Sequence, residues 1–164
     1  MPEPQTLSAQ QGRTWMLLVG VMMWLPAELD THLEQLVDLS HAEYGVLRCL
    51  SAAEDREVHM SRLAATASVT PSHLSRITAR LERRGLLTRS SDPADARRTL
   101  ARLTEQGAAL VRRAEPQYAA LVRRSVFEHL GPEQARQLED IAEALLLPLR
   151  ADCVELLAPR PTTP

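Results

Sequence analysis

Between Met60 and Thr104 the chain carries nine arginines (Arg62, Arg76, Arg80, Arg83, Arg84, Arg89, Arg97, Arg98 and Arg102) against three acids (Glu82, Asp92 and Asp95), a local net charge of +6. The remainder has ten arginines and eighteen acids, a net of −8, and the two parts sum to the −2 of the whole chain. A guanidinium is a planar fork of N–H donors that matches phosphate oxygens and guanine edges. A basic middle between acidic flanks therefore has the charge pattern of a localised polyanion site on an otherwise anion-repelling body. The competing reading is a solvated, charged helix face. Arginine is the sole base, with no lysine anywhere; this uniformity points to genomic composition and carries no functional weight.

Two stretches concentrate the chemistry. In TPSHLSRITARLERRG, Thr70 is a good N-cap and Pro71 sits at the first helical position, where its missing N–H costs nothing. Leu74, Ile77 and Leu81 form an inward stripe, and Gly85 ends the helix. The outward face holds Ser72, His73, Ser75, Arg76, Ala79, Arg80 and Arg83, with no acid in its first two turns. The preceding SRLAATA, capped by Ser61 and followed by a turn at Ser68 and Val69, completes a helix-turn-helix pattern. On that reading Ser72, His73, Ser75 and Arg76 face base edges and nearby phosphates in a major groove. Arg76 is the best candidate for specificity, and Arg80 and the backbone N–H groups around Thr70 clamp phosphates. Arg84 is expected to be solvated near its own helix C-terminus.

The second stretch is DPADARRT, Asp92 to Thr99, between two short strands at Leu86–Ser90 and Thr99–Leu103. Asp92-Pro93 begins the turn and the proline limits its freedom. Arg97 suits insertion into a narrow minor groove. Asp95, two residues earlier, is repelled by DNA and is expected instead to accept hydrogen bonds from arginine or from loop N–H groups; Arg98 stands beside them. The alternative is an ordinary polar hairpin.

Other elements must hold these two in place. A long helix is expected from Gln10 to Val37, with Trp15, Leu18, Val19, Met22, Leu25, Leu29, Leu33 and Leu36 on one buried face and a kink or break at Pro26. Ser40 to Glu43 reads as a capping box opening a second helix, which polar residues from Ala53 to Glu57 end. Thr104 caps a helix that Pro116 should bend, and Gly131-Pro132 starts a last one. The order is α-α-α-α-β-β-α-α, a mainly α fold with a small β-hairpin. Its expected parts are a disordered 1–9, an N-terminal helix 10–39, a winged helix-turn-helix 40–104, C-terminal helices 105–152 and a Pro-rich tail 153–164.

Several classes are disfavoured. The apolar run Trp15–Leu25 is 11 residues long, against about 20 for a membrane span, so no membrane partner and a cytoplasmic location are expected. Cys49 and Cys153 lie far apart without CxxC spacing and read as reduced and buried. His32, His41, His59, His73 and His129 are scattered without ligand spacing, so no metal is expected. No nucleophile elbow, phosphate-cradling glycine loop or acid pair is found, so neither an enzyme nor a cofactor is expected.

The stretches EYGVLRCL, SRLAATASVTPSHLSRITARLERRGLLTR and DPADARRTLARLTEQG together resemble the MarR-type transcriptional regulators, closely from His41 to Gly107 and in layout beyond. The last stretch fits that family's wing signature through Asp95, Arg97, Leu103 and Thr104; Ala96 departs from the arginine common at its position. The resemblance implies a homodimer joined by the N-terminal helix and the last two helices. It implies sequence-specific binding of a pseudo-palindromic double-stranded DNA operator, as a repressor. It also implies release of DNA by a small aromatic or phenolic effector, for which Arg13, Trp15, His41 and Tyr44 are the candidate contacts. Peroxide-sensing relatives carry their reactive cysteine near the chain start, and none occurs here before Cys49. A winged helix used for protein contact without DNA is the alternative from another class.

Overall fold

A computed structural model describes the backbone of residues 6–157 and the side chains of residues 6–151. Met1–Gln5, the Cys153 side chain and most of the expected Pro-rich tail lie outside the described residues. The first helix, α1 (Ala9–Val37), opens on a reciprocal capping box: Gln11 N donates to Ser8 Oγ at 3.2 Å and Ser8 N to Gln11 Oε1 at 2.9 Å. The helix thus begins at Ala9, the last residue of the segment 1–9. The expected split at Pro26 does not occur. Proline removes one hydrogen bond of the ladder, but the capped first turns and the buried Leu29, Leu33 and Val37 hold the helix on either side.

Helix α2 (His41–Ala52) has the expected box, Ser40 Oγ accepting from Glu43 N at 3.2 Å and Glu43 Oε2 from Ser40 N at 2.9 Å. A 3-10 turn (Glu54–Arg56) then leads into β1 (Glu57–His59), a strand absent from the expected order. Three residues are too few to show alternation, and the strand exists because β3 pairs with it, Glu57 opposite Arg102 and His59 opposite Leu100. Strands β2 (Leu87–Ser91) and β3 (Thr99–Leu103) form the antiparallel hairpin, so the sheet is three-stranded in the order β1-β3-β2. Leu86 stays out of β2 because its N–H closes the preceding turn on Leu81 O at 3.0 Å.

Helix α3 (Met60–Thr66) starts one residue before Ser61, so His59 and not Ser61 occupies the cap position, without a side-chain capping bond. Helix α4 (Pro71–Arg83) is capped by Thr70, whose Oγ1 accepts from His73 N at 3.3 Å. Helix α5 (Glu105–Ser125) is capped by Thr104 and continues through Pro116. Its Gly107 lies so close to the β2 approach that a Cβ would sit 2.1 Å from Leu86 O. Helix α6 (Pro132–Leu157) is interrupted at Arg150 (φ −153°, ψ 72°), just past Pro148, and contacts α3.

The core lies where α2, α3, α4, α5 and the sheet meet, around Leu47, Leu63, Leu74, Leu81, Leu87 and Leu103. Burial on α1 is confined to its C-terminal half. The run Trp15–Leu25, expected as a buried face, is not buried within one chain: Trp15 is 52% exposed, Met22 50% and Trp24 77%. On α6, Ile141 and Leu145 are likewise exposed. Among the described residues no helix is long and apolar enough to cross a membrane.

Candidate nucleic-acid interface

Helix α4 buries Leu74, Ile77, Thr78 and Leu81 and leaves Pro71, Ser72, His73, Ser75 and Arg76 exposed. Thr78 reaches its buried place by giving its hydroxyl proton to Leu74 O at 3.0 Å, so a polar side chain sits in the core without an orphaned group. The first turn has no acid, and its free N–H groups add the positive end of the helix dipole to the charge of Arg76. Arg76 and Arg83 have no ion pair among the described residues.

The neighbouring arginines are used internally. Arg80 Nε lies 3.1 Å from Oε1 of Glu43, the buried carboxylate of the α2 capping box, so Arg80 ties α4 to the start of α2 while staying half-exposed. Phosphate clamping alone does not describe it. Arg84 corrects the expectation of simple solvation at its own helix end. Its guanidinium donates to Asp38 O, and to Val37 O at 3.4 Å, capping α1 instead. Arg89 grips Glu82 through Nε at 3.0 Å and a terminal nitrogen at 2.6 Å, while its backbone N donates to the other oxygen at 3.0 Å. These bonds hold the Glu82 carboxyl below its usual range and fasten β2 to the end of α4.

The wing, residues 92–98, is braced from within. Asp92 N donates to Arg98 O at 3.0 Å, Asp95 N to Asp92 O at 3.2 Å and Arg98 N to Asp95 O at 2.8 Å. Asp95 Oδ1 accepts from Arg97 N and Arg97 Nε, each at 3.1 Å, and Arg98 Nε stands 3.4 Å from Oδ2. Held in this way, Arg97 is still 90% exposed at the tip. At the wing base Asp92 Oδ2 accepts from His59 Nε2 at 2.8 Å and Oδ1 from Ala94 N at 2.8 Å. The His59 bond is the larger cause of a carboxyl held below the ordinary aspartate range.

Residues 39–99 match the MarR family model. The fold is that of Sco3205 from Streptomyces coelicolor, a MarR family transcriptional regulator solved in complex with DNA: 33% identity over 92% of this chain and 94% of that one, with a TM-score of 0.86. The chain belongs to the MarR family. CouR from Rhodococcus jostii RHA1, solved with p-coumaroyl-CoA, is 29% identical over 80% of this chain and 90% of its own, with a TM-score of 0.68. The transcriptional regulator HosA of Escherichia coli O111:H- is 35% identical over 82 residues, 50% of this chain and only 59% of HosA.

The four candidate effector contacts of this MarR-family chain do not come together within it. Arg13 and Trp15 lie on the exposed N-terminal half of α1, whereas His41 lines a cavity. That cavity is a cleft of about 860 Å³ between α2, β1 and α3, which Arg48, Cys49, His59, Arg62 and Tyr118 also line. Tyr44 is buried behind it and donates to Glu115 Oε2 at 2.9 Å; burial and that carboxylate push its hydroxyl above the ordinary tyrosine range. One side of the cleft is aromatic and cationic, with His41 stacked on Tyr118 at 5.9 Å and the Arg48 guanidinium 4.9 Å over the Tyr118 ring, while Glu54, Asp55 and Glu57 also line it. His41 Nδ1 is buried without a hydrogen-bond partner among the described residues, and burial lowers that ring's pKa. Arg48, Glu115 and Tyr118 escaped sequence reasoning because their meeting depends on α2 crossing α5, far apart in the chain. Burial pushes the Cys49 thiol up, away from the reactive thiolate.

Proposed function

We propose that the chain is a homodimeric, sequence-specific DNA-binding regulator that places α4 in the major groove and the wing along the flanking minor groove. The observation carrying this reading is the division of labour among the arginines. Arg76 is exposed and has no ion pair among the described residues on an acid-free helix start, while Arg97 is extended to solvent by an aspartate that fixes its base. A bidentate Arg76 contact to guanine would supply specificity. Thr70, Ser72, His73, Ser75, Arg80 and Arg98 would supply register and phosphate neutralisation. Repression needs no further surface, because occupancy of promoter DNA is sufficient for it.

The exposed apolar faces of α1 and α6 support self-association, since patches of this kind on a monomer mark contact sites. Dimerisation would also bring a second α1, with its Arg13 and Trp15, to the molecule. The side of the cleft bounded by His41, Arg48 and Tyr118, away from Glu54, Asp55 and Glu57, supports binding of a small aromatic acid: a ring can stack there and a carboxylate can share the Arg48 guanidinium with Glu115, which lies 3.0 Å from its Nε. Such a ligand releases DNA only by binding the DNA-incompetent state more tightly.

Binding of duplexes recovered by selecting genomic fragments tests the proposal. Arg76→Ala is expected to cost about 1–3 kcal/mol and to relax preference at one base position. Arg97→Ala is expected to weaken binding and lower the salt slope by about 1. Binding that ignores both substitutions would favour a protein-contact role for the winged helix.

A further inference from the structure

His59 is an unusual residue for its position. It ends β1 and stands at the cap of α3, where Ser, Thr, Asp or Asn would satisfy the first N–H groups of the helix. Its side chain makes no capping bond. Instead it reaches across the face of the sheet: β3 lies between β1 and β2, and His59 Nε2 meets Asp92, the residue immediately after β2, at 2.8 Å. The Asp92 side chain is 13% exposed and that of Asp95 29%, whereas the other wing residues are open to solvent.

From there a continuous series of bonds runs to the tip. Asp92 O accepts from Asp95 N at 3.2 Å, and Asp95 Oδ1 accepts from Arg97 Nε at 3.1 Å. Because His59 directly precedes Met60, the first residue of α3, this series joins the wing to the helix-turn-helix through a side chain as well as through the sheet. The β1–β3 pairing and the Arg89–Glu82 bonds anchor the strands, and the His59 attachment at the base of the wing further limits rocking of its tip before DNA arrives. Pre-ordering of this kind strengthens binding by lowering its entropic cost.

We propose that His59 is the positioning residue of the wing, setting where Arg97 points by holding Asp92. It acts through Asp92 and needs no contact with DNA. The inference rests on the DNA-binding reading above and adds to it a residue whose role the wing signature does not contain. His59 also lines the 860 Å³ cleft, so the bond that fixes the wing is within reach of whatever occupies that cleft.

The test is a double-mutant cycle on the full chain, using a duplex recovered by genomic fragment selection and an unrelated duplex of equal length as control. His59→Ala is expected to weaken specific binding roughly tenfold, about the size of one hydrogen bond to a charged group. His59→Gln, whose amide nitrogen can replace Nε2, should recover most of that loss. In an Arg97→Ala background His59→Ala should cost almost nothing more, because both act through one tip. Hydrogen exchange at the Ala94 and Arg97 amides should rise in His59→Ala. Wild-type affinity in His59→Ala, or losses that add in the double variant, would overturn the proposal while leaving the DNA reading intact. No specific binding by the unsubstituted protein would overturn both.

Discussion

Net charge and available charge differ at the level of the residue. Six arginines of the basic middle have internal partners (Arg80, Arg84, Arg89, Arg97, Arg98 and Arg102), and only Arg62, Arg76 and Arg83 lack an ion pair among the described residues. The pairs carry a pH signature. The Arg89 bonds hold the Glu82 carboxyl below its unfolded value, so its stabilisation is present above the unfolded pKa and is lost as pH falls through the folded one. Glu82→Gln should therefore melt earlier than wild type at neutral pH, by no more than about 1 kcal/mol for so exposed a pair. The gap should close in acid; a gap independent of pH would contradict this account. The Asp95–Arg97 brace was legible because its partners are two residues apart. His59–Asp92 and Arg84–Asp38 were not, being 33 and 46 residues apart and brought together only by the tertiary fold.

Three capped helix starts are legible in the sequence, whereas the Ser8 cap of α1 is not. Ser40, Thr70 and Thr104 each accept the backbone N–H that their position demands. Strand β1 carries no such mark, and the helix starts that sequence cannot rank depend on what lies across the sheet, as at His59 and Ser61. Helix continues through both Pro26 and Pro116, so neither proline splits its helix. Gly107 is a sharper case. Alanine is better than glycine in an isolated helix by about 1 kcal/mol, yet here its Cβ would lie 2.1 Å from a backbone oxygen that no rotamer change can move. Gly107→Ala is expected to destabilise by about 1–3 kcal/mol as α5 is pushed from Leu86. A raised melting temperature would show that the propensity gain wins and the contact relaxes.

For the whole molecule, the run Trp15–Leu25 reads as a buried face that a lone subunit leaves partly exposed, and within one chain it is exposed. A sequence pattern registers that a face is apolar and leaves open which chain covers it. With α6 exposing Ile141 and Leu145, the chain presents apolar surface on both terminal helices and its basic face on α4 and the wing. Two copies joined through the terminal helices would present two α4 helices to one face of a duplex, about 34 Å apart, and would require an operator with two-fold symmetry. The most direct measurement is binding to a recovered operator in which one half-site is scrambled while length and salt are held constant. The account predicts a loss of roughly tenfold or more, several mismatched base pairs each costing about 1–3 kcal/mol. Equal affinity for the intact and half-scrambled duplexes would contradict it.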